Sequence, residues 1–280
     1  MKSILKSEAA TAIGQIPLVT TNLEIPGFAG PIPVRLHRPD NADVLPVVLY
    51  FHGGGFVSGS LDEADLPARH ISANVPSLVV VVGYSLAPRH PFPAAPEDAY
   101  AAACWVATNA KKYKGNAMKL ALAGHDAGGN LAASLALIAR DRHCKGIVAQ
   151  ALIGPMLDPS MTRLGDERDL KSDLSVATCE QCYREYLPNL LQRVHPYASP
   201  LESSRLAGLP PAFIATAQWD VLHIEAEKYA AELIDAGVQT QVERFSGATH
   251  SALPTDPRLL NELTHFLRRH LTRTAATSTR

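Results

Sequence analysis

Short, continuous apolar runs recur along the chain at 47–51, 78–83, 120–123, 147–153 and 213–217, and residues 240–245 alternate between apolar and polar. Runs of this kind predict parallel strands covered on both faces. Helical patterns fall between them. One is predicted over 97–110, opening after Pro96, whose fixed φ and missing N–H suit a first helical turn. Others are predicted over 129–140, rich in Ala and Leu, over 225–236, stopped by Gly237, and over 259–271. Strand and helix in alternation point to a doubly wound, mostly parallel sheet.

Two regions break that rhythm. Residues 21–39 read as two short strands around 27–30, an antiparallel hairpin at a sheet edge. Residues 155–200 hold no clear strand and separate two strand–helix units. Their 176–194 part is helical in pattern, which suggests a small cap or lid over a site. The whole of 1–280 is expected to be one domain, with a small, polar and frayed tail at 272–280.

Composition narrows the function classes. Hydrophobic content of 46% against 19% charged residues is that of a globular chain able to bury a large core. A formal net charge of -1 offers no basic field to nucleic acid or acidic lipid. No stretch approaches the roughly 18 apolar residues of a membrane span, and the first residues lack a signal-like apolar run. Cys104, Cys144, Cys179 and Cys182 form no disulfide framework, which points to a reducing, cytosolic home. Cys179 and Cys182 read as two neighbours on one helix turn rather than half a metal site, and the dispersed histidines support no metal either.

Three motifs then occur in one order. His52-Gly53-Gly54-Gly55-Phe56 follows the first apolar strand, and its glycines leave backbone N–H groups unshielded, as an oxyanion hole requires. Gly124-His125-Asp126-Ala127-Gly128-Gly129 lies between a predicted strand and a predicted helix. That is the setting of a nucleophile elbow, where a sharp turn presents the central side chain. The central residue is Asp126, the helix N-terminus beneath it favours an anion, and the N–H of Ala127 is expected to complete the hole. Asp220 follows the strand at 213–217, and His250 follows the last strand. Asp126, Asp220 and His250 keep the chain order nucleophile, acid, histidine of α/β-hydrolases.

The chain resembles the hormone-sensitive-lipase-like esterases, bacterial family IV, of the α/β-hydrolase fold. The resemblance is carried by 52–56, by Tyr84-Ser85-Leu86-Ala87-Pro88-Arg89-His90-Pro91-Phe92-Pro93-Ala94, by 195–200 and by Asp220-Val221-Leu222 through Glu225. It implies an oxyanion hole of Gly54, Gly55 and Ala127, and an Asp220 that orients His250. The family's G-D-S-A-G-G is here G-H-D-A-G-G, its arginine before Leu86 is Ser85, and its glutamate after Pro88 is Arg89. The region ahead of the first strands is short, so a trimmed cap and a more open pocket are expected.

An aspartate at the elbow changes the chemistry. Attack on an ester carbonyl by a carboxylate gives a mixed anhydride. Attack on a saturated carbon bearing a leaving group gives an alkyl–enzyme ester, which His250 and Asp220 could clear with water. Three readings stay open. The first is a carboxylesterase-like hydrolase of small organic substrates, acting through Asp126 on alkyl C–X, epoxide or ester bonds, or through water activated by His250. The second is a catalytically silent homologue that binds a small ligand. The third is an ordinary carboxylesterase carrying a serine-to-aspartate exchange. His52, Phe56, His125, Tyr183 and Tyr186 are the candidate pocket residues. No cofactor is implied. The expected partner is a small-molecule substrate, with a homodimer left open.

Overall fold

The computed structural model describes residues 17–40 and 43–272. The expected hairpin is present: β1 (Leu18–Pro26) and β2 (Pro31–Pro39) pair antiparallel, with Ile25 opposite Ile32 across the turn. After them come β3 (Leu45–Phe51), α1 (Asp65–Asn74), β4 (Leu78–Val82), α2 (Ala94–Asn109), β5 (Gly115–His125), α3 (Ala127–Asp141) and β6 (Ile147–Ile153). The chain continues through α4 (Glu167–Leu170), α5 (Val176–Tyr186), β7 (Ala212–Trp219), α6 (His223–Asp235), β8 (Thr240–Thr249) and α7 (Pro257–Leu271). One eight-stranded sheet runs β1-β2-β4-β3-β5-β6-β7-β8. It is parallel from β4 to β8, and β2 runs antiparallel to β4.

Because side chains alternate across a strand, each parallel strand feeds two cores. Val47, Leu49 and Phe51 of β3 point to the layer of α2, α3 and α6, while Val48 and Tyr50 point to that of α1 and α7. The two-sided burial explains the unbroken apolar runs. Helix α3 is buried along nearly its whole length, so it reads as Ala- and Leu-rich rather than amphipathic.

Several boundaries differ from the sequence expectation. Helix α2 opens at Ala94 rather than 97, with Pro96 still inside the first turn, where no intrahelical donor is lost. Strand β5 opens at Gly115, where polar residues pair with the start of β3. Helix α1 has no clear periodic signal in the sequence, since its contact with the core rests on little more than Pro67, Ala68 and Ile71. The predicted helix over 176–194 is two pieces: α5 ends at Tyr186, and a 3₁₀ turn at Leu190–Val194 follows Pro188, which has no N–H to continue the helix. The predicted tail lies outside the described residues except for Thr272. Among the described residues no helix is long and apolar enough to cross a membrane.

Asp98 on α2 ties the hairpin to the site side of the sheet. Fully buried, it accepts from the N–H of Phe28 at 2.6 Å and of Ser85 at 2.8 Å. Asp98→Ala leaves both donors without their partner and is expected to cost roughly 2–4 kcal/mol. Urea unfolding should show this as a lower midpoint with an unchanged slope.

Candidate active site

Four loops at the carboxyl ends of β3, β5, β7 and β8 converge, the usual place for a site in a parallel sheet. The turn from β5 to α3 is the sharpest. Asp126 has φ 56° and ψ -119°, a strained conformation for a non-glycine residue. Glycines allow it: a Cβ at Gly124 would strike the carbonyl of Gly128, and one at Gly128 would strike that of Phe51 at the end of β3. Backbone bonds from Asp126 N–H to Ile153 O at 2.9 Å and from Asn130 N–H to Asp126 O at 3.1 Å hold the strained residue.

The glycine turn after β3 faces the elbow. Gly54 and Gly55 have φ of 106° and 59°, and the N–H groups of Val57 and Ser58 both return to Gly54 O. The freed N–H groups of Gly54 and Gly55 donate to Asp126 Oδ2 at 2.9 and 2.7 Å. The aspartate carboxylate therefore occupies the cradle that the sequence suggested for a substrate oxygen. Ala127 is buried at the first position of α3, and the two bonds to the carboxylate come from the glycines.

Asp220, buried after β7, accepts from Leu222 N–H at 2.9 Å through Oδ1 and holds His250 Nδ1 at 2.8 Å through Oδ2. The other ring nitrogen, Nε2, lies 3.6 Å from Asp126 Oδ1. Burial works against a charge on His250, but Asp220, Asp126 and Asp173 together outweigh it and raise its pKa to about 9. A neutral ring that donates Nδ1–H to Asp220 would turn an Nε2 lone pair toward a carboxylate oxygen, which is why the proton is retained. His125, its ring 4.7 Å from that of His250, is driven the other way, to about 4, by burial and by the charge on His250. Its Nε2 lies 3.3 Å from His250 O.

These groups line a cavity of about 510 Å³. The structure brings together Asp126, Gly54, Gly55, His250, His52 and His125 at its wall, with Asp220 behind His250. It does not bring Phe56, Tyr183 or Tyr186 there, which corrects the sequence expectation. Phe56 is fully buried and stacks on Tyr186 with centroids 3.8 Å apart, and the Tyr183 ring lies tilted to it at 6.3 Å. The reason is the buried face of α5, which contains Cys179, Cys182, Tyr183 and Tyr186. The two tyrosines pack behind the glycine turn, and the two cysteines reach the cavity. The sequence pattern marks those thiols only as neighbours on one helix turn. They are free, and burial followed by the negative charge of Asp126 raises both, Cys182 to about 11, so neither is a ready nucleophile. Glu63, Leu174 and Ser251 also line the cavity, and no local sequence signal marks them. Among the described residues no group of three or more His, Cys, Asp or Glu is placed to hold a metal ion.

A family model described as alpha/beta hydrolase fold matches residues 48–254. Esterase LipI of Mycobacterium tuberculosis is 39% identical over 240 residues, which cover 83% of this chain and 74% of that protein. Among solved structures, the metagenomic carboxylesterase EstE1 superposes with a TM-score of 0.87 at 34% identity, covering 92% of this chain and 91% of that one. The hyperthermophilic esterase of Pyrobaculum calidifontis gives 0.84 at 37% identity, covering 90% and 83%. By fold and by these relatives the protein is an esterase/lipase-like hydrolase. The chain belongs to the α/β-hydrolase fold family whose model it matches.

The raised pKa of His250 links the site to stability. Its folded value of about 9 lies above the roughly 6.5 of an unfolded histidine. The stabilisation, on the order of 3 kcal/mol, is fully present below pH ~6.5 and is lost as pH rises through 9. Chemical denaturation between pH 6 and 10 should show that decline, and His250→Asn should flatten it.

Proposed function

We propose that the protein hydrolyses small carboxylic esters in this cavity, with His250 as base, Asp220 as its orienting partner and the N–H groups of Gly54 and Gly55 as the cradle for the carbonyl oxygen. The observation that carries the reading is the His250–Asp220 pair facing that cradle across Asp126. It is supported by the esterase relatives. Neutral His250 takes a proton from water through Nε2, hydroxide adds to the ester carbonyl, and the proton passes to the departing alkoxide. The carbonyl oxygen and Asp126 Oδ2 compete for the same two donors, so Asp126 swings aside before the cradle serves the substrate. In this route Asp126 is a displaced spectator that slows the reaction, because it holds His250 protonated and its own attack on the carbonyl ends in a mixed anhydride.

The test is hydrolysis of a short-chain nitrophenyl ester. The unaltered protein should be slow, and its rate should rise with pH to about 9 as His250 loses its proton. Asp126→Ser supplies a nucleophile and removes one of the carboxylates holding the proton. It should raise the rate by about a hundredfold or more and move the inflection to lower pH. His250→Ala should abolish activity in both backgrounds. A rate indifferent to His250→Ala sinks the proposal.

One observation favours a second reading. With Oδ2 seated on the glycine N–H groups, Oδ1 is the carboxylate oxygen left free to attack a saturated carbon. Displacement of a halide, or opening of an epoxide, would leave an alkyl ester on Asp126 whose carbonyl oxygen is already in the cradle. His250-activated water then clears it. On this reading His250→Ala, incubated with a small alkyl halide or epoxide, accumulates one alkyl adduct on the peptide containing Asp126. An unmodified mass of His250→Ala would exclude it.

A further inference from the structure

We infer that Asp173, in the segment between α4 and α5, is a positioning residue: it latches the insertion over the cavity to the loop that carries His250 and fixes that imidazole in the site. The inference rests on the reading of His250 as the base. Asp173 Oδ2 accepts from the N–H of Ser251, the residue directly after His250, at 3.2 Å. One carboxylate of the insertion thus holds the residue that follows His250. Among the described residues no other backbone hydrogen bond joins residues 155–200 to residues 249–252.

The segment that presents Asp173 is itself held. Glu167 Oε2 accepts from Val176 N–H at 2.8 Å, Ser175 caps α5 by accepting from Thr178 N–H at 3.0 Å, and Leu174 N–H donates to Ser172 Oγ at 3.2 Å. Leu174, next to Asp173, and Ser251 itself both line the cavity. The wall of the site is therefore closed between insertion and histidine loop at this contact. The charged or titratable groups facing His250 come from four places: Asp220 after β7, Asp126 at the elbow, His125 at the end of β5, and Asp173 from the insertion. Asp220 and Asp126 belong to the sheet scaffold. Asp173 is the contribution that opening of the insertion would remove. Its carboxylate is exposed, so its charge is screened and its influence on His250 is small beside that of Asp220.

Asp173→Asn keeps an acceptor for Ser251 N–H and loses the charge, and Asp173→Ala loses both. Two readouts on the full-length protein separate these effects: the titration of the His250 ring followed by NMR with labelled histidine, and the pH–rate profile of nitrophenyl ester hydrolysis. In both variants the His250 midpoint should fall by about half a pH unit. kcat should fall less than about threefold in Asp173→Asn and about tenfold in Asp173→Ala, with KM little changed. The NMR titration needs no turnover, so an inert ester assay would fail the proposed function while leaving the latch tested. An unmoved His250 midpoint in both variants overturns the inference, as does equal loss of rate in Asn and Ala without any shift.

Discussion

A carboxylate held by two backbone N–H groups at the mouth of the sheet is the contact on which the site depends. A buried carboxylate is costly unless donors meet it, and here Gly54 and Gly55 supply them to Asp126 Oδ2. Those donors are free only because Gly54 and Gly55 take left-handed conformations after β3. They are within reach only because Gly124 and Gly128 let α3 start directly against the end of β3. The other carboxylate oxygen faces His250, whose charge is sustained by Asp220 behind it. Asp126 thus fastens the loops after β3, β5 and β8, and Asp220 ties in the loop after β7 through His250.

On the proposed route the same fastening works against turnover. Carboxylate, imidazolium and carboxylate in a row make a satisfied resting state, stable because each charge has its partner. An ester hydrolase needs the reverse at the moment of reaction: an unprotonated histidine and an unfilled cradle. Stability and chemistry draw on the same groups, and the pKa of His250 is the quantity through which they oppose each other.

Around this centre the insertion decides the shape of the cavity. Its helix α5 turns its apolar face inward, so that Cys179 and Cys182 contribute small, soft wall and the larger Tyr183 and Tyr186 pack behind Phe56. With Phe56 stacked flat against Tyr186, the glycine turn has a rigid backing, which keeps its N–H groups aimed at the elbow. The insertion in this way backs the glycine turn as well as covering the cavity.

Much of this was legible along the chain. The continuous apolar runs gave the strands because strands covered on both faces need no polar alternation. The order of the glycine turn, the elbow, Asp220 and His250 is a local signal at each strand end, and sequence order maps directly onto loop position in a parallel sheet. Helix α1 was not legible because Pro67, Ala68 and Ile71 give almost no periodic signal. Nor was the fate of Phe56, Tyr183 and Tyr186, since an aromatic beside a motif and an aromatic behind it look alike in one dimension. Which side of α5 meets the cavity, that Asp173 reaches Ser251, and that Asp126 fills the cradle are contacts between residues 71 to 78 positions apart. The sequence determined that a carboxylate stands at the elbow. Only the tertiary structure decided that one of its oxygens is already held by two backbone N–H groups, because hydrogen bonding depends on where two loops meet and not on what either contains.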